Sequence, residues 1–151
     1  MREMDRIARL LEQTVEGHPY YGPSLLRALT EVRQPGEKLW RIVAHLTAEL
    51  EYARAVLEGT ADPWVQGETT WPVVTDTSDE AWHDAIAKLT AASRALVRLV
   101  ERLDDAVLGH ELVRVHSTYY AMLHGTALHN AYHAEQISLL MRQADEKDQS
   151  K

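Results

Sequence analysis

The chain has no cysteine. That excludes disulfides, thiolate-bound zinc, iron–sulfur clusters and a cysteine nucleophile together. Any metal must then be held by His, Asp, Glu or water. Basic charge is also scarce: 16 Lys and Arg face 23 Asp and Glu, a formal net charge of −7. A face that neutralises phosphates is not expected, so nucleic acid is excluded as a partner. No apolar run approaches the roughly 18–20 residues of a membrane span. Met1 to Leu10 carries charges every few residues and lacks the apolar centre of a signal peptide. A cytoplasmic protein that makes no membrane contact is therefore expected. There is no internal repeat, no low-complexity tract and no internal domain boundary. A phosphate-cradling glycine loop and a G-x-S-x-G elbow are also missing.

What is present is helical periodicity. At 151 residues, 45% of them hydrophobic, the chain is long enough for one domain with a real core. A first helix is predicted from about Arg2 to Val15, with Met4, Ile7, Leu10 and Leu11 on one face. The turn Gly17-His18-Pro19-Tyr20-Tyr21-Gly22-Pro23 breaks it, and Ser24 to Val32 continues as a short helix. After Gln34-Pro35-Gly36, a second long helix runs from about Glu37 to Glu58 and stops at Gly59. Its core face carries Leu39, Ile42, Val43, Leu46, Leu50, Ala53 and Leu57.

Gly59 to Thr77, with Pro63, Gly67 and Pro72, reads as one long loop that Trp64 and Trp71 pin to the rest. Thr77 or Ser78 caps a third helix, in which Trp82, Ile86, Leu89, Ser93, Leu96, Val100 and Leu103 alternate in threes and fours. Asp104 to His116 is a connector. Leu112 to Val115 is too short to build a sheet. Ser117 is the expected cap of a fourth helix, Thr118 to about Gln143. The polar tail from Asp145 to Lys151 is expected to fray. The pattern predicts an all-α chain: one antiparallel four-helix bundle over residues 1–144, with the long Trp/Pro loop between its second and third helices.

Two histidines, His129 and His133, stand one turn apart on the fourth helix. On a 100°-per-residue wheel Met122, Thr126, His133, Ile137 and Leu140 fall within about 80° of His129. Imidazoles in the middle of such a stripe are either hydrogen-bonded core residues or metal ligands. A third ligand would have to come from another helix's inner face. His45 is the only histidine of the second helix, with Glu49 one turn later and Tyr52 and Val56 nearby. Three histidines leave coordination positions open, as catalytic metal sites do.

Glu49 is a candidate fourth ligand, outer acceptor or base, and Gln136 a candidate outer or substrate contact. His18 could line the pocket. His124 points off the stripe, and His83, His110 and His116 read as surface or loop residues. His110-Glu111 opens like a zincin motif, but Arg114 stands where the second histidine belongs. Glu80-Ala81-Trp82-His83 matches half of a di-iron motif, and its second copy is missing.

The string His124-Gly125-Thr126-Ala127-Leu128-His129-Asn130-Ala131-Tyr132-His133-Ala134-Glu135-Gln136-Ile137 resembles the last helix of the DinB-like (DinB/YfiT) superfamily, whose pattern is roughly H-G-x-x-x-H-x-x-Y-H-x-G-Q-I. Pro35 to Leu46, ending Ala44-His45-Leu46, is similar to that superfamily's first histidine helix, and Tyr20-Tyr21-Gly22-Pro23-Ser24 to a segment before its second helix. The likeness covers nearly the whole chain.

It implies a bundle in which His45, His129 and His133 hold one divalent metal, zinc or nickel. It also implies an enzyme that transfers a low-molecular-weight thiol to an electrophile, since the superfamily includes bacillithiol S-transferases and is related to mycothiol-dependent maleylpyruvate isomerase. The thiol would be a cosubstrate, Glu49 or Gln136 would orient ligands or carry a proton, and Tyr20, Tyr21 and Trp71 would wall the pocket. A small-molecule substrate and a homodimer are expected partners. Hydrolysis by metal-bound hydroxide and a non-catalytic metal- or ligand-binding stress protein are the alternatives. Glu135 replaces the superfamily's usual glycine and is read as pointing to solvent.

Overall fold

A computed structural model describes residues 1–61, 70–112 and 116–149, with side chains through residue 146. Trp64, Pro63, Gly67 and Arg114 lie outside the described residues. The described chain is mostly helical: α1 (Glu3–Val15), α2 (Leu25–Thr30), α3 (Glu37–Leu57), α4 (Asp79–Arg102) and α5 (Tyr119–Gln149). Between α4 and α5 come a 3-10 turn (Asp105–Gly109) and a two-rung antiparallel hairpin, β1 (Glu111–Leu112) with β2 (Ser117–Thr118). Each of α1 and α3 packs against both α4 and α5, and α2 lies on α5. Among the described residues no helix is long and apolar enough to cross a membrane.

The helices form where their apolar spacing repeats at three and four, and their ends are marked by chemistry. Ser78 Oγ accepts from Ala81 N at 3.3 Å to start α4. After α3, Gly59 takes φ 72°, a left-handed conformation that suits glycine just past a helix end. The start of α1 is clamped from outside. The Asp105 carboxylate accepts from Met4 N and Glu3 N at 2.8 and 2.9 Å, and those two bonds hold its pKa below the usual carboxylate range. Arg2 donates to the carbonyls of Glu101 and Leu103, tying α1 to the end of α4.

Three expectations change at α5. Its cap is Thr118, whose Oγ1 accepts from Ala121 N at 3.2 Å, and not Ser117. Ser117 and Thr118 are both paired in the hairpin, opposite Leu112 and Glu111, so the helix starts only at Tyr119 and the residue just before it serves. The helix runs past Gln143 to Gln149 instead of fraying at Asp145, since no glycine or proline interrupts that polar end.

The buried stripe is also rotated. Leu123, Ala127, Asn130, Ala134 and Ile137 are its most enclosed members, while His129 is half-buried on the flank. Helix α5 must face α1 and α2 as well as α3, and this turns the centre of its apolar face away from the histidines. Asn130 Nδ2 donates to Thr14 Oγ1 at 3.3 Å, across the α1–α5 contact.

The core is continuous. Met4, Ile7 and Leu11 of α1 and Leu25 and Leu29 of α2 join Val43, Leu46 and Leu50 of α3. Leu89, Leu96 and Val100 of α4 and Leu123 and Ile137 of α5 complete it. Trp40 and Trp82 meet edge to face at 5.0 Å between α3 and α4.

Candidate metal centre

The α3–α5 contact brings His45 to the histidine pair of α5. His45 Nε2 lies 3.1 Å from His129 Nε2, and His133 Nε2 lies 3.0 Å from the same atom. One donor nitrogen from each of the three falls within 4.8 Å of the other two. His45 and His133 are buried. The three rings stand nearly perpendicular to one another, at 74–81°.

The protons on these rings decide what the cluster can hold. His45 Nδ1 donates to the Thr70 carbonyl, which can only accept. His133 Nδ1 donates to Gln136 Oε1 at 2.7 Å. In the neutral rings, the Nε2 of both then carries a lone pair, and both lone pairs face His129 Nε2. A single N–H on His129 can satisfy one of them in good geometry, but not both. A cation satisfies all three.

The spacing agrees with that reading. Nitrogens about 2.0–2.1 Å from a shared ion stand about 2.9 Å apart at octahedral angles and about 3.3 Å apart at tetrahedral ones. The 3.0 and 3.1 Å gaps fall between these limits. The residues fit a divalent metal, and an all-imidazole set suits zinc, nickel, copper or iron alike.

Burial pushes His133 down to about 4, against the pull of Gln136; the neighbouring histidines lower it further and Glu49 raises it. His129 is lowered by burial and then by His45. Both are neutral near pH 7, as ligands must be. An unfolded histidine titrates near about 6.5, so between that value and about 4 the unfolded chain binds more protons than the folded one. Metal-free protein should therefore lose stability as pH falls through this window and gain nothing above it. Urea midpoints at intervals from pH 4.5 to 7.5 read this slope. His133→Gln should flatten it, and an unchanged slope would place its origin in other groups.

Glu49 lies beside the cluster and outside the mutually close donor atoms. Its Oε1 is 3.9 Å from His45 Nδ1, on the side of the ring away from His129. It also lines a cavity of about 320 Å³ that opens on His129, with Tyr52, Ala53, Val56, Leu112, Ser117, Met122, Gly125 and Thr126. Gln136 touches His133 from behind, as an outer partner would. Glu135 is exposed and pairs with Arg142 at 2.7 Å.

The α1–α2 turn is not brought to the site. Tyr20 and Tyr21 are 91% and 83% exposed and pack edge to face on each other. His18 is exposed in the same turn and does not line the cavity beside His129. Trp71 does reach the site, but it lies flat on the His45 ring and does not line that cavity. His83, His110 and His116 are exposed, and His124 Nδ1 bonds the Tyr120 carbonyl within its own helix.

Thr70 is the participant that sequence reasoning missed. It acts through a backbone carbonyl, which no residue identity announces. No family model matches the chain, and no curated protein or solved structure matches it either.

Proposed function

We propose that this chain is a four-helix-bundle metalloenzyme of the DinB-like kind, using His45, His129 and His133 to hold one zinc or nickel ion. In this reading it transfers a low-molecular-weight thiol to an electrophile. The observation that carries the proposal is the convergence of the Nε2 atoms of His45 and His133 on that of His129, with Nδ1 of both turned to acceptors. The pairwise packing of α1, α3, α4 and α5 supports the bundle. Exposed Leu128, Tyr132 and Leu139 on α5 leave an apolar surface consistent with a homodimer.

When bound, the metal supplies Lewis acidity that lowers the pKa of a thiol or a water. The protein supplies the rest. Thr70 and Gln136 fix the ring orientations of two ligands. Ala53, Val56, Leu112 and Met122 give the cavity its apolar lining. Glu49, which lines the same cavity as His129, is the candidate to accept the proton that the nucleophile loses. That same carboxylate equally serves a hydrolase, with water as the nucleophile.

The test loads the protein with Zn²⁺ or Ni²⁺ and follows product across a panel of thiols and electrophiles. Turnover that needs both thiol and metal, and that falls about 10²–10⁴-fold in Glu49→Gln, is the expected result. Turnover of esters or amides without thiol selects the hydrolase. Ligand-induced stabilisation with no product anywhere selects a non-catalytic binding protein and ends the enzyme reading.

A further inference from the structure

His45 is the ligand whose position the helix pair cannot guarantee. His129 and His133 ride on one helix and keep their spacing whenever α5 is formed, but His45 comes from α3. Two adjacent residues from outside both helices hold its ring. The Thr70 carbonyl accepts from Nδ1, which fixes the tautomer and the rotation of the ring. The Trp71 indole lies on the imidazole face at 3.8 Å between centroids and 2° between planes, which fixes its tilt and so keeps Nδ1 aimed at the Thr70 carbonyl that sets the tautomer. No other histidine of the cluster has a parallel partner among the described residues; their ring contacts with one another are edge to face. Arg41, one turn before His45 on α3, sets its guanidinium over the same indole at 5.7 Å, so Trp71 is itself held from α3.

The geometry points to Trp71 as a positioning residue of the metal centre, a flat plate that holds the His45 imidazole in the orientation at which its Nε2 meets those of His129 and His133. This rests on the metal reading given above. Trp71 touches no reacting atom; it acts through His45. At 43% exposed it is not a core anchor, so its replacement should change the site more than the fold.

Two variants separate the flat face from mere bulk. Trp71→Leu keeps apolar volume without a plane, and Trp71→Phe restores a plane. Zinc affinity by chelator competition, the melting temperature of metal-free protein, and histidine ring ¹⁵N spectra of metal-free protein are measured on both. The expected result is a zinc affinity weakened about 10–100-fold in Trp71→Leu, with most of it recovered in Trp71→Phe and little change in metal-free melting. In the spectra His45 should show a single Nδ1-protonated tautomer in wild type and an averaged one in Trp71→Leu. Zinc affinity in Trp71→Leu within about twofold of wild type would overturn the assignment. A Trp71→Leu variant that does not fold makes Trp71 a structural residue and overturns it equally. If wild-type protein binds no metal, the metal reading fails by itself. The ¹⁵N spectra then decide the plate, and an unchanged His45 tautomer in Trp71→Leu removes it.

Discussion

Elemental mass spectrometry of untagged wild-type protein should find about one divalent metal ion per chain, and His129→Ala and His45→Ala should each carry none above background. The effect is expected to be complete because His129 is the hub of the cluster. Its Nε2 is the atom that the other two approach, at 3.1 and 3.0 Å. Removing it leaves two nitrogens on different helices with no shared neighbour. Removing His45 leaves a two-point site on α5 alone. Gln136→Leu should behave differently, keeping the metal with affinity reduced about 10–100-fold, since Gln136 only orients His133.

Stability gives an independent readout. Metal at about 100 times its dissociation constant should stabilise wild type by about 2.7 kcal/mol and leave His129→Ala unmoved. Protein that arrives metal-free and cannot be loaded with zinc or nickel would return the three histidines to the role of hydrogen-bonded residues. The enzyme reading would fall with them.

The second large effect concerns the face that α5 presents. Leu123→Ala should destabilise the protein by about 2–5 kcal/mol, through lost burial and the cavity left behind. For a chain of this size that is a melting temperature lower by roughly 5–20 °C. Leu128→Ala, five residues along the same helix, should change the stability of the monomer, measured in dilute protein below any dimer formation, by no more than about 0.5 kcal/mol. Leu123 is fully buried and Leu128 is 70% exposed. The contrast is informative because the sequence treats the two alike: on a wheel centred on His129 they lie about 120° and 100° to either side. Equal costs in monomeric protein would mean that α5 is rotated relative to its neighbours, and the histidine geometry would have to be rebuilt with it. The pair is best compared by urea denaturation of metal-free protein, so that ligand binding does not mask the difference.

The helices of this chain were largely legible beforehand. Alternating three- and four-residue apolar spacing located α1, α3 and α4 to within a residue or two. Ser78 and Gly59 announced their boundaries through side-chain and backbone chemistry that acts within a single turn. The two histidines of α5 were legible as a pair for the same reason, since four residues of α-helix always bring two side chains onto one face. The absence of cysteine narrowed any metal chemistry to imidazole and oxygen donors before any contact was known.

Other features were beyond the reach of local pattern. The cap falls on Thr118 and not Ser117 because the hairpin runs through Thr118 and delays the helix to Tyr119, and a two-rung ladder leaves almost no trace in composition. The α1–α2 turn was expected near the site, yet Tyr20 and Tyr21 face solvent there.

The sequence by itself determined which segments are helical, the cap at Ser78 and the stop at Gly59, and that His129 and His133 share a helix face. All of these follow from interactions between residues a few positions apart. Only the tertiary structure decided that His45 meets that pair, that α5 turns Leu123 inward and Leu128 outward, and that Thr70 and Trp71 close on the His45 ring. Those outcomes depend on how each helix divides its surface among several neighbours at once. Packing several helices together selects one rotation of α5 from the range that its broad apolar face would allow, and the orientation of the histidines follows from that choice.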